Sequence, residues 1–304
     1  KVIYLDDNET VVIDGDSYRT TNMQNVVIPK NIEALDWEEE ATKKGDFEHF
    51  LLKEIHEQPE VVHRAFGKGG RFIQDFGTVK LGGLNLEQRD LFDISRIEIF
   101  GMGSAYYAGL FGTYIFENLS RIPTRVVDAS ELIYSNPIVQ KDTLYFAISQ
   151  SGETADTITA IREIQNKGGR VLGIINNPGS TIARMCEGGV YIHAGPEISV
   201  AATKTFLSQI TVLSMIALLF GRMRNVSISL GKKYIEELLK IPKQITQIIE
   251  NKFIIQNIAL KYKKYSNFVY VARGINYPIA LEGALKLKEV NYVYAEGYSA
   301  GNLK

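Results

Sequence analysis

The sequence predicts an α/β protein: a parallel sheet flanked by helices in three layers, followed by the start of a second unit of the same kind. Two observations carry this. From Arg96 onward short apolar strands alternate with segments long enough for crossover helices, the pattern of a sheet covered on both faces. A shift of 171 residues then sets Gly274 against Gly103, Tyr277 against Tyr106, Gly283 against Gly112, Ala300 against Ala129 and Leu303 against Leu132. Strand, Gly-containing loop and helix recur in that order, which is the mark of an internal repeat.

Taken in order, residues 1 to 14 (KVIYLDDNETVVID) read as two short β runs joined at Asp7-Asn8, a hairpin that would end a domain better than begin a protein. With no initial Met, the chain is expected to be cut at its front. Residues 16 to 45 lack periodicity and read as a linker. Phe47, Phe50, Leu51 and Ile55 recur at helical spacing, with a break or kink expected at Pro59. Residues 67 to 93 are punctuated by Gly and carry no clear period. The expected strands are 97–100, 124–128, 143–148, 170–175 and 189–193, with crossover helices at 104–119 and 154–167 and a long closing helix at 203–220. Two more helices, about 229–239 and 243–263, lead to a strand at 267–272 that opens the second copy. The first copy runs on from Leu132 to about Arg222, so a comparable stretch of the second is expected to lie outside these 304 residues. The expected domains are therefore 1–45, tail and linker; 46–93, linker helix and connecting segment; 94–225, the first α/β domain; and 226–304, connecting helices and a truncated second copy.

Composition narrows the function classes. With 34 basic and 35 acidic residues the net charge is −1, which offers no electrostatic footprint for nucleic acid or an acidic membrane. Hydrophobic and charged contents of 45% and 23% suit a soluble protein. Cys186 is alone, and His49, His56, His63 and His193 are scattered, so no disulfide, metal or other cofactor is expected. No uninterrupted apolar run of about 18 residues and no cleavable signal is visible, which leads us to expect a cytoplasmic protein.

Chemistry concentrates in four places. Ser149, Gln150, Ser151 and Thr154 lie between an apolar strand and a helix start, where unpaired amides and the positive end of the helix dipole favour an anion. Three hydroxyls with a Gly fit a phosphate, although Ser151 or Thr154 alone would serve equally as a helix cap, and the segment lacks the Gly-Lys-Ser/Thr ending of a Walker loop. Gly103 and Ser104 occupy the equivalent edge after the first strand and could face the same ligand, or serve only tight packing. Residues 197–204 (EISVAATK) precede the long helix, with Thr203 a plain candidate for its cap. Glu282, Lys286 and Glu289, spaced i, i+4, i+7, form one helical stripe flanked by Ile279, Leu285, Val290 and Val293, with Ala284 and Lys288 turned away. On a solvated face such pairs are decoration. Drawn into an apolar face they are tuned toward acid and base work, with Glu289 as the proton shuttle.

The segments KGDFEHFLLKEIHEQP (44–59), SQSGETADT (149–157), GPEISVAATKTF (195–206) and PIALEGALKLKEVNYVYAEGYSAGNLK (278–304) resemble the glutamine:fructose-6-phosphate amidotransferase family, whose isomerase half consists of two sugar isomerase (SIS) domains. The resemblance implies an SIS fold, a homodimer without metal, and conversion of fructose 6-phosphate into glucosamine 6-phosphate with ammonia from glutamine. Residues 1 to about 15 then match the tail of a glutaminase domain, the partner otherwise absent from this chain, and Cys186 is expected to be a packed helix residue. Ser149, Gln150, Ser151 and Thr154 match the sugar-phosphate loop, and Val200 a backbone contact to the sugar. Glu289 matches the base that moves a proton between C1 and C2, with Glu282 and Lys286 its neighbours. Gly103-Ser104-Ala105 stands where the family has Gly-Thr-Ser, so one hydroxyl is lost or must come from Ser104, and Ala202 stands where Ser is usual. The family's ring-opening His and Schiff-base Lys would fall after Lys304, so these residues alone are expected to bind the sugar without completing catalysis. Two other readings fit the same fold: an amino-sugar phosphate isomerase or deaminase, and a non-catalytic sugar-phosphate sensor.

Overall fold

The computed structural model describes residues 2–15, 17–32 and 42–303, and the chain divides into two units, Lys1–Lys43 and Lys44–Lys304. In the first, strands β1 (Glu9–Asp14) and β2 (Ser17–Asn22) pair antiparallel from Glu9↔Asn22 to Asp14↔Ser17. The hairpin turn is therefore at Gly15, whose φ is +56°, and not at Asp7-Asn8, which form a turn before β1. β2 also lies inside the stretch read as linker. Its alternating side chains are mostly polar, so the strand is held by backbone pairing rather than by an apolar face.

The second unit opens with helix α1 (Phe50–Ala65), which continues through Pro59 instead of breaking there. Val61, Val62 and Ala65 are fully buried, and packing against later helices outweighs the one backbone hydrogen bond a proline forfeits. The Gly-rich stretch that follows holds a small antiparallel pair, β3 (Phe72–Ile73) and β4 (Thr78–Val79), and a short helix α2 (Gln88–Asp93) with a capping box between Glu87 and Asp90.

The main sheet follows: β5 (Arg96–Gly101), α3 (Ser104–Ile115), β6 (Thr124–Asp128), α4 (Ala129–Leu132), β7 (Thr143–Ser149), α5 (Ala155–Asn166), β8 (Arg170–Ile175), α6 (Thr181–Met185) and β9 (Gly189–Tyr191). All pairings are parallel and the strand order is β6-β5-β7-β8-β9. Every residue of β7 is buried, as its unbroken apolar run requires of a central strand. Helix α7 (Lys204–Arg222) lies on the face shared with α1 and α3, and a second core of Phe100, Tyr145, Ala147, Ile161 and Val171 fills the other face under α4 and α5. By length and composition α7 would suffice to cross a bilayer, and 83% of that apolar window is buried inside the protein. The sequence scan missed it because Thr, Ser and Gln interrupt the run. Cys186 follows α6 rather than lying in a helix, and burial pushes its thiol up to about 12.

Helix α8 (Ile228–Glu250) runs unbroken through Pro242, where a gap was expected, and gives way at Asn251 to α9 (Lys252–Tyr262). The chain then makes β10 (Asn267–Ala272), α10 (Tyr277–Asn291) and β11 (Tyr294–Ser299), with β10 parallel to β11. A shift of 171 residues carries β5 onto β10 without remainder, and carries α4 onto the short turn of helix Ala300–Leu303. The pairing register agrees as well: Ile97 faces Thr124, and Asn267 faces Tyr294, each 27 residues on. The repeat is thus one of structure, a β-α-β unit built twice.

Candidate active site

Strand order reverses its direction of growth between β5 and β7, since β6 was added on one side of β5 and β7, β8 and β9 on the other. The loops leaving these two strands must part to opposite faces, and the crevice between them is where ligands bind in open α/β sheets. A cavity of about 250 Å³ sits there, lined by Gly103, Ser104, Ser149, Gln150, Ser151, Thr154, Val200, Lys286 and Glu289, together with Ala202, Thr205 and Gln209. Of the sequence-expected residues only Glu282 is not on its wall.

The β7–α5 loop is tightly wound. Gly152 has φ +71°, and a Cβ there would lie 2.0 Å from Ser180 Oγ, so only glycine fits. The Gly152 amide donates to Ser149 Oγ at 2.9 Å, and the Glu153 amide to Ser151 Oγ at 3.1 Å. Ser149 is buried, and its Oγ lies 3.3 Å from Thr154 Oγ1. Two of the loop's amides are therefore occupied by its own hydroxyls, which corrects the simple picture of a cradle of free N–H groups. Ser149 shapes the loop, while Ser151 is exposed and Thr154 makes no capping bond to α5.

Across the cavity α10 presents its charges. Lys286 Nζ lies 2.6 Å from Glu289 Oε2 and 3.3 Å from Glu282 Oε1, and donates to Ser104 Oγ at 2.9 Å. Ser104 in turn donates to Glu282 Oε1 at 2.9 Å. Burial holds the Glu282 carboxyl above the usual range, opposed by Lys286 and the Ser104 hydroxyl, and its Oε2 has no hydrogen-bond partner among the described residues. Burial also raises the Tyr107 phenol, with the nearby Glu282 carboxylate adding to the shift. The apolar flanks of the stripe are not as helical spacing alone suggests. Ala284 is buried and Val290 is 47% exposed, because α10 packs on α3 and on its own strands β10 and β11 from more than one side.

The third wall is the segment before α7. Thr203 does not cap that helix; its Oγ1 is buried without a hydrogen-bond partner among the described residues. The cap is Glu197, which accepts from the amides of Thr203 at 2.9 Å and Thr205 at 3.3 Å and from the Thr205 hydroxyl. Burial raises the Glu197 carboxyl, and these donors oppose the shift. Glu54 on α1 accepts from the amides of Ile198 and Ser199, and Lys204, only 2% exposed, reaches Glu57 at 2.5 Å. In the sequence Glu54 and Glu57 look like exposed helix charges. Glu57 pairs with Lys53 one turn away, as such a charge would, but the partners that tie α1 to this wall lie 144 to 147 residues away, and no local signal joins them.

Residues 90–219 match the SIS domain family. Over its whole length the chain is 45% identical to a glutamine–fructose-6-phosphate aminotransferase (isomerizing) of Chlorobaculum tepidum and 40% identical to that of Thermus thermophilus. It spans about half the length of these relatives, 49% and 50% respectively. The solved C-terminal domain of glucosamine-fructose-6-phosphate aminotransferase from Francisella tularensis superposes with a TM-score of 0.80 at 32% identity, covering 86% of this chain and 73% of that one. A parallel sheet with helices on both faces, a hydroxyl-lined crevice at its switch point and relatives of this kind place the chain in the isomerizing glutamine–fructose-6-phosphate aminotransferase family, with the fold of its SIS domains.

Proposed function

We propose that this chain supplies sugar-phosphate binding and acid–base chemistry in the conversion of fructose 6-phosphate and glutamine-derived ammonia to glucosamine 6-phosphate. The observation that carries the reading is the convergence on one cavity of the hydroxyl loop Ser149–Thr154 with Lys286 and Glu289. A phosphate dianion at the loop meets Ser151, Thr154 and Gln150 near the start of α5, where the helix dipole favours negative charge. The carbon chain then extends toward α10. Glu289 is the group that takes a proton from one carbon and returns it to its neighbour, Lys286 holds that carboxylate in place, and Glu282, tied through Ser104, holds Lys286.

The relatives' name, glutamine–fructose-6-phosphate aminotransferase (isomerizing), supports the same assignment; in this reading a glutaminase domain is the ammonia source. The reading extends to a cytoplasmic homodimer and to a division into a first SIS domain at 94–225 and the beginning of a second at 226–304. Calorimetric titration of the 304-residue chain with fructose 6-phosphate tests the binding half. Glu289→Gln in the intact enzyme tests the chemistry: turnover should fall by about 10² or more, the scale of general-base loss, with sugar-phosphate affinity kept. Unchanged turnover would point instead to a sensor that binds the sugar without acting on it.

A further inference from the structure

We infer that Glu54, on the outer helix α1, is a positioning residue that sets the sugar-facing segment Glu197–Thr203 in its binding shape; this rests on the sugar-phosphate reading above. Glu54 is only 2% exposed. Its carboxylate accepts from the Ile198 amide at 2.6 Å, from the Ser199 amide at 3.1 Å and from the Ser199 hydroxyl. All three donors belong to the two residues immediately before Val200, which is 87% exposed and lines the same cavity as the hydroxyl loop.

The segment has no regular structure of its own to hold it. Its far end is fixed by Glu197, which caps α7, and by the buried Lys204–Glu57 pair, again reaching α1. Between those anchors, Glu54 holds the consecutive amides of Ile198 and Ser199 and so sets which way the 198–200 backbone faces. Burying a carboxylate is costly unless it is fully matched, and an apolar side chain would fill the same space without that cost. What a carboxylate supplies and a leucine does not is directional acceptance of consecutive amides, and that fixes backbone orientation. α1 packs on α7 and α8, and none of its residues is among those lining the cavity, so Glu54 acts through the segment it holds.

The test separates the two halves of the ligand. Inorganic phosphate needs only the hydroxyl loop, whereas fructose 6-phosphate also needs the Val200 segment. Glu54→Ala should weaken fructose 6-phosphate binding by about tenfold or more, in line with the large effect of small misplacements. Inorganic phosphate should keep its wild-type affinity. Glu54→Gln, whose amide oxygen still accepts from the backbone, should restore most of the sugar affinity. If Glu54→Ala binds fructose 6-phosphate as wild type does, or loses phosphate in equal measure, the assignment is overturned while the sugar-phosphate reading stands. If the wild-type chain binds phosphate but not fructose 6-phosphate, both fall. Should Glu54→Ala not fold, Ser199→Ala removes one donor to the same carboxylate and should weaken the sugar by about threefold with phosphate unchanged; no change there would also overturn the assignment.

Discussion

The Ser104 hydroxyl donates to Glu282 Oε1 at 2.9 Å, a bond between residues 178 positions apart that ties α3 of the first copy to α10 of the second. Lys286 completes the triangle by donating to the same hydroxyl. Ser104 thus gives its one proton to the ionic cluster, and toward a sugar in the cavity it can only accept. Ser104→Ala should cost about 1–2 kcal/mol by leaving a buried carboxylate short of a donor. Urea denaturation monitored by circular dichroism measures it, and a variant as stable as wild type would contradict the role given to this bond.

Gly152→Ala should be among the most damaging single changes in the loop. The residue would sit at φ +71° with its methyl 2.0 Å from Ser180 Oγ. A left-handed conformation and an overpacked contact together cost about 2–4 kcal/mol. Both the thermal midpoint and fructose 6-phosphate affinity should drop, and a variant with wild-type stability would show that the loop is not built as described.

Ser149 and Ser151 should separate structure from binding. Ser149→Ala removes the buried acceptor of the Gly152 amide and should destabilise the fold by about 1–2 kcal/mol. Ser151→Ala alters an exposed side chain whose one bond is to the Glu153 amide, and should leave stability nearly unchanged while weakening phosphate and sugar phosphate alike. The reverse pattern, with Ser151 structural and Ser149 specific to the ligand, would refute the division.

Glu282 gives stability a pH dependence whose sign follows from its environment. Its native carboxyl lies above the ordinary 4.5, so as pH rises past that value the unfolded chain releases this proton first. In that window the unfolded state binds fewer protons than the native one, and native stability falls with rising pH until the native group has also ionised; below 4.5 the effect is absent. Glu282→Gln should therefore gain on wild type as pH climbs from that point, then run parallel to it. Unfolding curves collected across pH would decide the matter, and two profiles parallel throughout would defeat it.

Much of the fold could be read from apolar runs, since the expected strands 124–128, 170–175 and 267–272 are those observed. Of these, 170–175 is buried along nearly its whole length, while 124–128 closes and 267–272 opens a β-α-β unit, and each is rich in β-branched or aromatic residues. Pro59 and Pro242 misled because a proline announces a lost hydrogen bond but says nothing of the packing that compensates for it. The hairpin turn was misplaced for a related reason: Asp7-Asn8 and Gly15 are both good turn signals, and only strand pairing chooses between them. Within the site, the residues next to strand ends were visible. Glu54 and Glu57 were not, because each works through a partner that only tertiary folding supplies, and the capping role of Glu197 was hidden because it reaches over a six-residue separation to the Thr203 amide, where Thr203 itself is the ordinary cap candidate.

The duplication has one further implication. Counting back 171 positions, the helix addresses held by Glu282, Lys286 and Glu289 in α10 belong to Phe111, Ile115 and Asn118 in the earlier copy, where Phe111 and Ile115 serve as ordinary core packing. One architecture has therefore been put to two uses, with a greasy helix face in one half rewritten as ions in the other. The rewritten face is held by the pairing of Lys286 with its two carboxylates, and its sibling adds the hydroxyl of Ser104 in the place of solvent, so the ions of one half lean on the other.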